Sequence, residues 1–422
     1  MALFASVWTE SAGAQRAKRI VVFAFDQLID VLMRIEDLNG DGDTLDAGEV
    51  TRFIDDTIAP ELGAENAQGL YALGRSSVLA TDNFPPDNIV RLRDDNDDGD
   101  AFDAGEAAIF HDGNLPGPTT LTNPASLTRG PDGAFFVIDN NVLDNTRPQA
   151  VYRLEDIDQD GDVNDAGEVT NWFLLAPAGS NTAAVLEIEF GQGDALFAFD
   201  ILTANRRIIR IAPDGSGAAT FVSAAQLFAL TSISMSTTLA EMTWDDDRGR
   251  MLLGAFLGQD IVIISLRDGN NSNTIDQANE VRIVWRESTS GFNTGSPRDL
   301  FYLPDGDLIW VDALSDRIWR LHDANDDGDY GDAGETGFIY DSVAAGAAGQ
   351  INAPLMLSLS AVEVCVADVN EDGAIGLSDL STLLANFGSS SGMTPTRGDL
   401  DGDGDVDLAD LAKLLTDFGL DC

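Results

Sequence analysis

The chain has 422 residues, 72 acidic and 24 basic, and a formal net charge of −48. A surface that anionic makes nucleic acid and anionic membranes poor partners. No run of ~18 apolar residues occurs, so no membrane span is expected.

The opening MALFASVWTESAGAQ has no basic start and only a short apolar run. It is a poor signal peptide, so a natural leader is expected to have been trimmed or to lie upstream. RIVVFAFDQ (19–27) then reads as a strand, and an acidic phrase follows, RIEDLNGDGDTLDAGEV from Arg34. Near copies are RLRDDNDDGDAFDAGEA from Arg91, RLEDIDQDGDVNDAGEV from Arg153 and RLHDANDDGDYGDAGET from Arg320. Each sets side-chain oxygens at loop positions 1, 3, 5, 7, 10 and 13, with glycine at 6. The candidate metal ligands are Asp37, Asn39, Asp41, Asp43, Asp46 and Glu49 in the first copy. In the second they are Asp94, Asn96, Asp98, Asp100, Asp103 and Glu106, and in the third Asp156, Asp158, Asp160, Asp162, Asp165 and Glu168. The last strong copy offers Asp323, Asn325, Asp327, Asp329, Asp332 and Glu335. Oxygen donors in that number around a tight glycine turn suit a hard cation, so several Ca2+ ions, mainly structural, are expected. The terminal Glu at 13, not 12, separates these loops from an EF-hand.

The loops begin at Asp37, Asp94, Asp156 and Asp323, at intervals of 57, 62 and 167 residues. The last interval is close to three periods, and two eroded copies fill it. SLRDGNNSNTIDQANEV keeps Asp268, Asn270 and Glu280, and RIAPDGSGAATFV from Arg210 shrinks the loop to a turn. Six units of about 57 residues result. Within a unit the apolar runs are short: unit three reads PASLTRGPDGAFFVIDN, AVYRLED, the loop, then EVTNWFLL. Four short strands between Gly/Pro/Asp turns make one propeller blade, so residues 1–362 are expected to form a mainly β, six-bladed propeller. The Pro-Asp-Gly turn and the strand after it resemble NHL-type six-bladed propellers. Ring closure is expected from INAPLMLSLSAVEV (351–364) pairing with residues 19–27. The acidic loops fall between the third and fourth strands, at the rim, which favours structural over catalytic ions.

From Cys365 the texture changes to two loop–helix copies, 31 residues apart. The first offers Asp368, Asn370, Asp372 and Asp379, and the second Asp399, Asp401, Asp403, Asp407 and Asp410, at EF-hand positions with Gly373 and Gly404 at 6. Leu380, Leu383, Leu384 and Phe387 recur as Leu411, Leu414, Leu415 and Phe418, which predicts one apolar helical stripe per copy. Residues 363–422 resemble a type I dockerin. The resemblance implies a small all-α, calcium-dependent domain with a cohesin-type partner. At the family's recognition positions 10 and 11 stand Leu377-Ser378 and Leu408-Ala409, which do not form matched polar pairs. A calcium-stabilised sorting or anchoring tag is therefore an equal alternative. Cys365 and Cys422, the only cysteines, bracket this module and predict a disulfide clasp. Calcium loops and a disulfide point to an extracellular, secreted protein.

Catalytic signals are weak. His111 and His322, the only histidines, are expected at the rim. Glu187, Glu189, Glu241 and Asp299 fall in predicted innermost strands near Arg298 and Trp244, and are the candidates for channel chemistry. Asp26, Asp82, Asp139, Asp200 and Asp312 end the second strand of five blades, where they are expected to satisfy turn amides. The function expected is that of a binding or scaffold component with a glycan or small ligand at the channel. The alternative is a carbohydrate- or lactone-acting hydrolase or lyase.

Overall fold

The computed structural model describes residues 18–26, 30–39, 43–46, 48–55, 67–82, 87–115, 121–140, 147–178, 182–202, 206–236, 241–291, 297–303, 306–312, 317–341, 356–420 and 422. Short strands, most of them buried on both faces, pair as antiparallel meanders. Blade one has β1 (Lys18–Asp26), β2 (Val31–Glu36) and β3 (Val50–Asp55); blade two has β4 (Ala67–Gly74), β5 (Ser77–Asp82), β6 (Ile89–Arg93) and β7 (Ala107–His111). Blade three has β8 (Pro124–Arg129), β9 (Phe135–Asp139), β10 (Gln149–Leu154) and β11 (Val169–Ala176). Blade four has β12 (Val185–Gly191), β13 (Ala195–Asp200), β14 (Arg207–Ile211) and β15 (Ala218–Ser223), followed by helix α1 (Ala224–Thr231). Blade five has β16 (Ser234–Met235), β17 (Met242–Asp245), β18 (Arg250–Leu257), β19 (Asp260–Leu266) and β20 (Val281–Arg286), then the short helix α2 (Glu287–Ser290). Blade six has β21 (Pro297–Tyr302), β22 (Leu308–Asp312), β23 (Arg317–Leu321) and β24 (Thr336–Asp341).

Strand β25 (Met356–Cys365) returns to pair antiparallel with β1, from Lys18↔Cys365 to Asp26↔Met356. It becomes the innermost strand of blade one, so the ring closes as expected. The innermost strands touch in the cyclic order β25, β4, β8, β12, β17, β21 and back to β25. Six apolar clusters form, each shared by two adjacent blades. The ring, not the single sheet, is therefore the unit that buries surface.

The acidic loops join the third strand of a blade to the fourth, as expected, and hold the ring together in a way the spacing did not predict. Position 8 of each is buried: Thr44, Ala101, Val163, Ile275 and Tyr330 are all at most 3% exposed. Its backbone N–H donates to the outermost strand of the preceding blade. The pairs are Thr44 to Ile339 O (2.9 Å), Ala101 to Phe53 O (2.7 Å), Val163 to Phe110 O (2.8 Å), Ile275 to Phe221 O (2.8 Å) and Tyr330 to Val284 O (2.7 Å). Each accepting residue lies at a break in register of its strand. A bulge leaves one residue out of the ladder, and its carbonyl takes a partner from the next blade. Blade four, which lost the loop, instead brings the Gly215 turn against the carbonyl of Trp172, also at a register break. A Cβ there would lie 2.7 Å from that oxygen, and φ is +67°, so only glycine fits.

Beyond β25 lie helices α3 (Leu377–Asn386) and α4 (Leu408–Asp417), with Cys365 bonded to Cys422 as expected. The predicted stripe splits. Leu383 and Leu414 are fully buried, whereas Leu384, Phe387, Leu415 and Phe418 are 52, 43, 54 and 39% exposed. Two ten-residue helices enclose a single buried layer, filled by Leu383, Leu414, Ile375 and Val406. Ile375 and Val406 occupy loop position 8 here too, donating to Leu420 O (2.9 Å) and Ser389 O (3.0 Å).

Tyr330→Ala removes a buried aromatic wedge at one inter-blade contact. Truncations of this kind cost about 3–5 kcal/mol. The expected outcome in a thermal melt is a lower Tm than for Asp326→Ala, a change at an exposed position of the same loop.

Candidate functional site

Two places gather functional side chains: the rim loops and the central channel. In the loops, position 1 accepts the N–H of position 6 through its outer oxygen. Asp94 takes Gly99 (2.9 Å), Asp156 takes Gly161 (3.0 Å) and Asp323 takes Gly328 (2.7 Å). In the C-terminal copies Asp368 takes Gly373 and Asp399 takes Gly404, both at 2.9 Å. The eroded loop does the same with Asp268 and Asn273 (2.7 Å). This wraps the backbone around a hollow into which the remaining oxygens converge. Ligand atoms of Asp156, Asp158 and Glu168 lie within 4.8 Å of one another, as do those of Asp158, Asp160 and Asp165. Asp399, Asp401 and Asp410 form a third such group, and Asp405, Asp407 and Asp410 a fourth, with Asp405 absent from the predicted set. Clustered carboxylates with a free lone pair each fit a hard cation such as Ca2+.

Several predicted ligands also hold the loop itself. Glu49 accepts Leu38 N (3.0 Å) on one oxygen and Asp46 N (3.0 Å) on the other. Glu106, Glu168, Glu280 and Glu335 repeat this bracket, and so do Asp379 and Asp410. The acid at position 10 is tied to the amide at position 3: Asn39 to Asp46 (2.6 Å), Asn96 to Asp103 (2.5 Å) and Asn325 to Asp332 (2.7 Å). At position 7, Asp43, Asp100, Asp162 and Asp329 each accept the N–H two residues on, an Asx turn. Of the rest, Asp98, Asp327 and Asp372 at position 5 place their N–H on the position-3 amide oxygens of Asn96, Asn325 and Asn370. Asp41 lies outside the described residues, and Asp37 and Asp403 stand at positions 1 and 5 of their loops.

In the channel, Glu187, Glu189, Glu241 and Asp299 do come together. Glu187 and Glu189 share one face of β12 by the two-residue strand period, and register breaks just before Glu187 and Asp299 turn both strands. They border a cavity of ≈ 350 Å³ with Gln68, Tyr71, Thr243 and Asp246. Glu241 sits with Arg298 in an adjoining recess that shares Asp299 and Leu300 with this cavity. Ser126 Oγ donates to Glu187 Oε1 (2.8 Å), and Thr128 Oγ1 to Glu189 Oε2 (3.5 Å). Burial and the Asp299 charge raise the Glu187 carboxyl well above the ordinary range. Glu241 is raised by burial, then Asp299 and Glu187, against the pull of Arg298. Burial and Asp246 push Glu189 to about 8. Acids crowded in this way retain protons at neutral pH or exchange them for a cation.

Other expectations sort on geometry. Trp244 turns away from the channel: it is 8% exposed and stacks on Phe197 at 5.5 Å in the core between blades four and five. Glu241 and Thr243 face the lumen, so Trp244, one residue out of phase, cannot. Asp200 Oδ1 accepts Leu202 N (3.1 Å) in the turn after its strand, as expected. It also accepts Ala184 N (2.9 Å), and Asp139 Oδ1 accepts Thr122 N (3.1 Å) and Asn123 N (2.7 Å), all three at the entry to the innermost strand of the same blade. His111 is buried in the outer strand β7, and His322 Nδ1 meets Asp307 Oδ1 at 2.5 Å; neither borders the channel cavity. Asp246, Ser126 and Thr128 escaped notice in the sequence. The hydroxyls alternate along β8 in phase with the β12 acids, which was the available signal, whereas Asp246 stands in the run DDD (245–247) after β17 with no pattern to single it out.

No protein-family model and no curated protein matches this sequence. Among solved structures, a chain of a nidogen/laminin complex overlaps 82% of this chain and 98% of its own, at 12% identity and TM-score 0.47. The PQQ-bound aldose sugar dehydrogenase of Streptomyces coelicolor overlaps 65% and 81%, at 15% identity and TM-score 0.42. Virginiamycin B lyase of Staphylococcus aureus overlaps 74% and 80%, at 16% identity and TM-score 0.40.

A carboxyl whose pKa is raised by folding holds its proton more tightly in the folded state. Glu189 therefore lowers stability as pH rises from its unfolded value near 4.3 toward 8. Melts from pH 5 to 9 are expected to show a falling Tm in the native chain and a flatter profile in Glu189→Gln. Parallel profiles would contradict this.

Proposed function

We propose that the protein is an extracellular, calcium-stabilised propeller that binds a small cationic ligand in its channel. The observation that carries this is the convergence of Glu187, Glu189, Asp299 and Asp246 on one ≈ 350 Å³ cavity. Crowded carboxylates in low-dielectric surroundings repel one another, and a cationic group entering among them relieves that repulsion. Amine-bearing glycans and small polyamines are the probes to try first. A glycan and small-ligand array, followed by calorimetry, is expected to find binders whose affinity falls tenfold or more in Glu187→Gln and Asp299→Asn. Equal affinity in both variants would remove the channel from the function.

Calcium in this reading supplies charge neutralisation and rigidity at the rim, held by the loop carboxylates. A site filled at 100 times its Kd adds about 2.7 kcal/mol to stability. Chelation by EDTA is therefore expected to lower the Tm steeply. A melt unchanged by EDTA would defeat the assignment.

The C-terminal helices, in the same proposal, tether the propeller to a cohesin-type partner. Support comes from Leu377 and Leu408, at position 10 of the two loops, which are 77 and 71% exposed. A large apolar side chain left in solvent at equivalent places in both copies suits an apolar contact better than a polar one.

One observation favours a second reading, a hydrolase or lyase. Glu189 retains its proton to about pH 8 and Asp246 lies beside it, which is the pairing an acid–base mechanism needs. Turnover of a lactone or oligosaccharide that is lost in Glu189→Gln, with a basic limb near pH 8 in the native chain, would establish it.

A further inference from the structure

The acidic C-terminal module has a receptor on the propeller. In a chain with three acids for every base, Arg19, Arg34 and Arg75 gather around one carboxylate, Glu36. Arg34 Nη2 meets Glu36 Oε2 at 2.6 Å, Arg75 Nε meets Oε1 at 3.3 Å and Arg19 Nη1 meets it at 3.8 Å. Glu36, Arg19 and Arg75 are 2, 7 and 1% exposed. Three guanidinium groups share Glu36, with the loop acids Asp37 and Asp94 acting on Arg19 and Arg34, and buried positive charge of this density is costly unless something covers it. Arg75 Nη1 and Nη2 are buried with no hydrogen-bond acceptor among the described residues.

What covers it is the module, through the backs of both its loops. Arg19 Nη2 donates to Leu400 O (2.7 Å) in the second loop. Glu371 of the first loop lies on the turn that carries Arg75: it accepts Ser76 Oγ (3.3 Å), and a Cβ on Gly74 would fall 2.9 Å from its Oε2. Gly402 sits so close to the first acidic loop that a Cβ would come 2.6 Å from the Leu38 carbonyl carbon. Arg397 Nη2 reaches Asn96 O (2.6 Å) in the loop of blade two. The module thus grips blades one and two while its chain emerges directly from β25, the strand that closes the ring.

We propose that the C-terminal module is a latch on the ring seam, with the arginine-lined rim of blades one and two as its docking surface. A terminal strand is ordinarily the first to fray. Here β25 cannot leave β1 until the module leaves Arg19, Arg75 and Leu38. The disulfide joins the two ends of the module to each other, so it does not replace this grip. The latch stands whether or not the channel binds a ligand.

The test is hydrogen exchange by mass spectrometry on the full, calcium-loaded chain, comparing peptides from 18–26 and 356–365 with peptides from 377–386. Gly402→Asn introduces the Cβ that Leu38 excludes. Asparagine tolerates positive φ, and Glu371 already holds φ +56° at the equivalent loop position, so the loop keeps its turn. Glu371→Gln is the milder variant, removing the acid opposite Arg75 at constant size. The expected result is at least tenfold faster exchange in β25 and β1 for Gly402→Asn, and a smaller increase for Glu371→Gln. Residues 377–386 should exchange as before in both. Unchanged seam exchange in both variants would overturn the latch. Exchange that rises only in 377–386 would also overturn it, by showing a module that unfolds alone without loosening the ring.

Discussion

A backbone amide at position 8 of each acidic loop, placed on a bulged carbonyl of the neighbouring blade, is the contact on which the ring depends. Blades of four strands have apolar faces on both sides, so each needs neighbours, yet apolar packing is not directional and does not set a rotation between sheets. The amide–carbonyl pair does. It recurs at five of the six junctions, always from the same loop position to the same kind of register break. At the junction of blades three and four, Gly215 approaches Trp172 O instead, which preserves the spacing with a shorter turn.

The acidity of the loops follows from that task. To send its eighth residue into a neighbour's core, a loop must wrap tightly in its first half and close firmly in its second. The first half wraps around position 1, whose outer oxygen takes the N–H of position 6. The second half is closed by the terminal acid, which takes amides from both ends. Carboxylates used as internal acceptors in this way crowd one another, and a divalent cation is the natural relief. The same solution appears in the C-terminal module, where Ile375 and Val406 fill the role of position 8.

The channel acids stand apart from this scheme. Glu187, Glu189 and Asp299 face a cavity, and bulges in β12 and β21 direct them there. Burial and neighbouring carboxylates raise Glu187, Glu189 and Glu241, as burial also raises the loop braces Glu49 and Glu335. The arginine group at the seam shows the opposite sign of the same principle, buried positive charge covered by an acidic module.

Much was legible in the primary structure because it is written locally. The acidic phrase, its spacing near 57 residues and the strand-length apolar runs specify units of four strands, and a returning stretch near residue 351 marks ring closure. The gathering of Glu187, Glu189, Glu241 and Asp299 was foreseeable from their positions in innermost strands, since such strands share one lumen. Trp244 lies in the innermost strand β17 as expected, and its odd spacing from Glu241 turns it to the core and not the lumen. The bracket by Glu49 and its counterparts was hidden, as one carboxylate in a string of them looks like a ligand whether it faces a metal or an amide. Sequence alone determined the repeat, the blade and the clasp between Cys365 and Cys422, because each rests on neighbours in the chain or on having no other partner. Only the tertiary structure decided the inter-blade amide contacts, the company that Asp246 keeps with Glu189, and the seat of the module on Arg19 and Arg75. Those depend on which bulge meets which loop across the ring, and no periodicity encodes a distance between residues that are hundreds of positions apart.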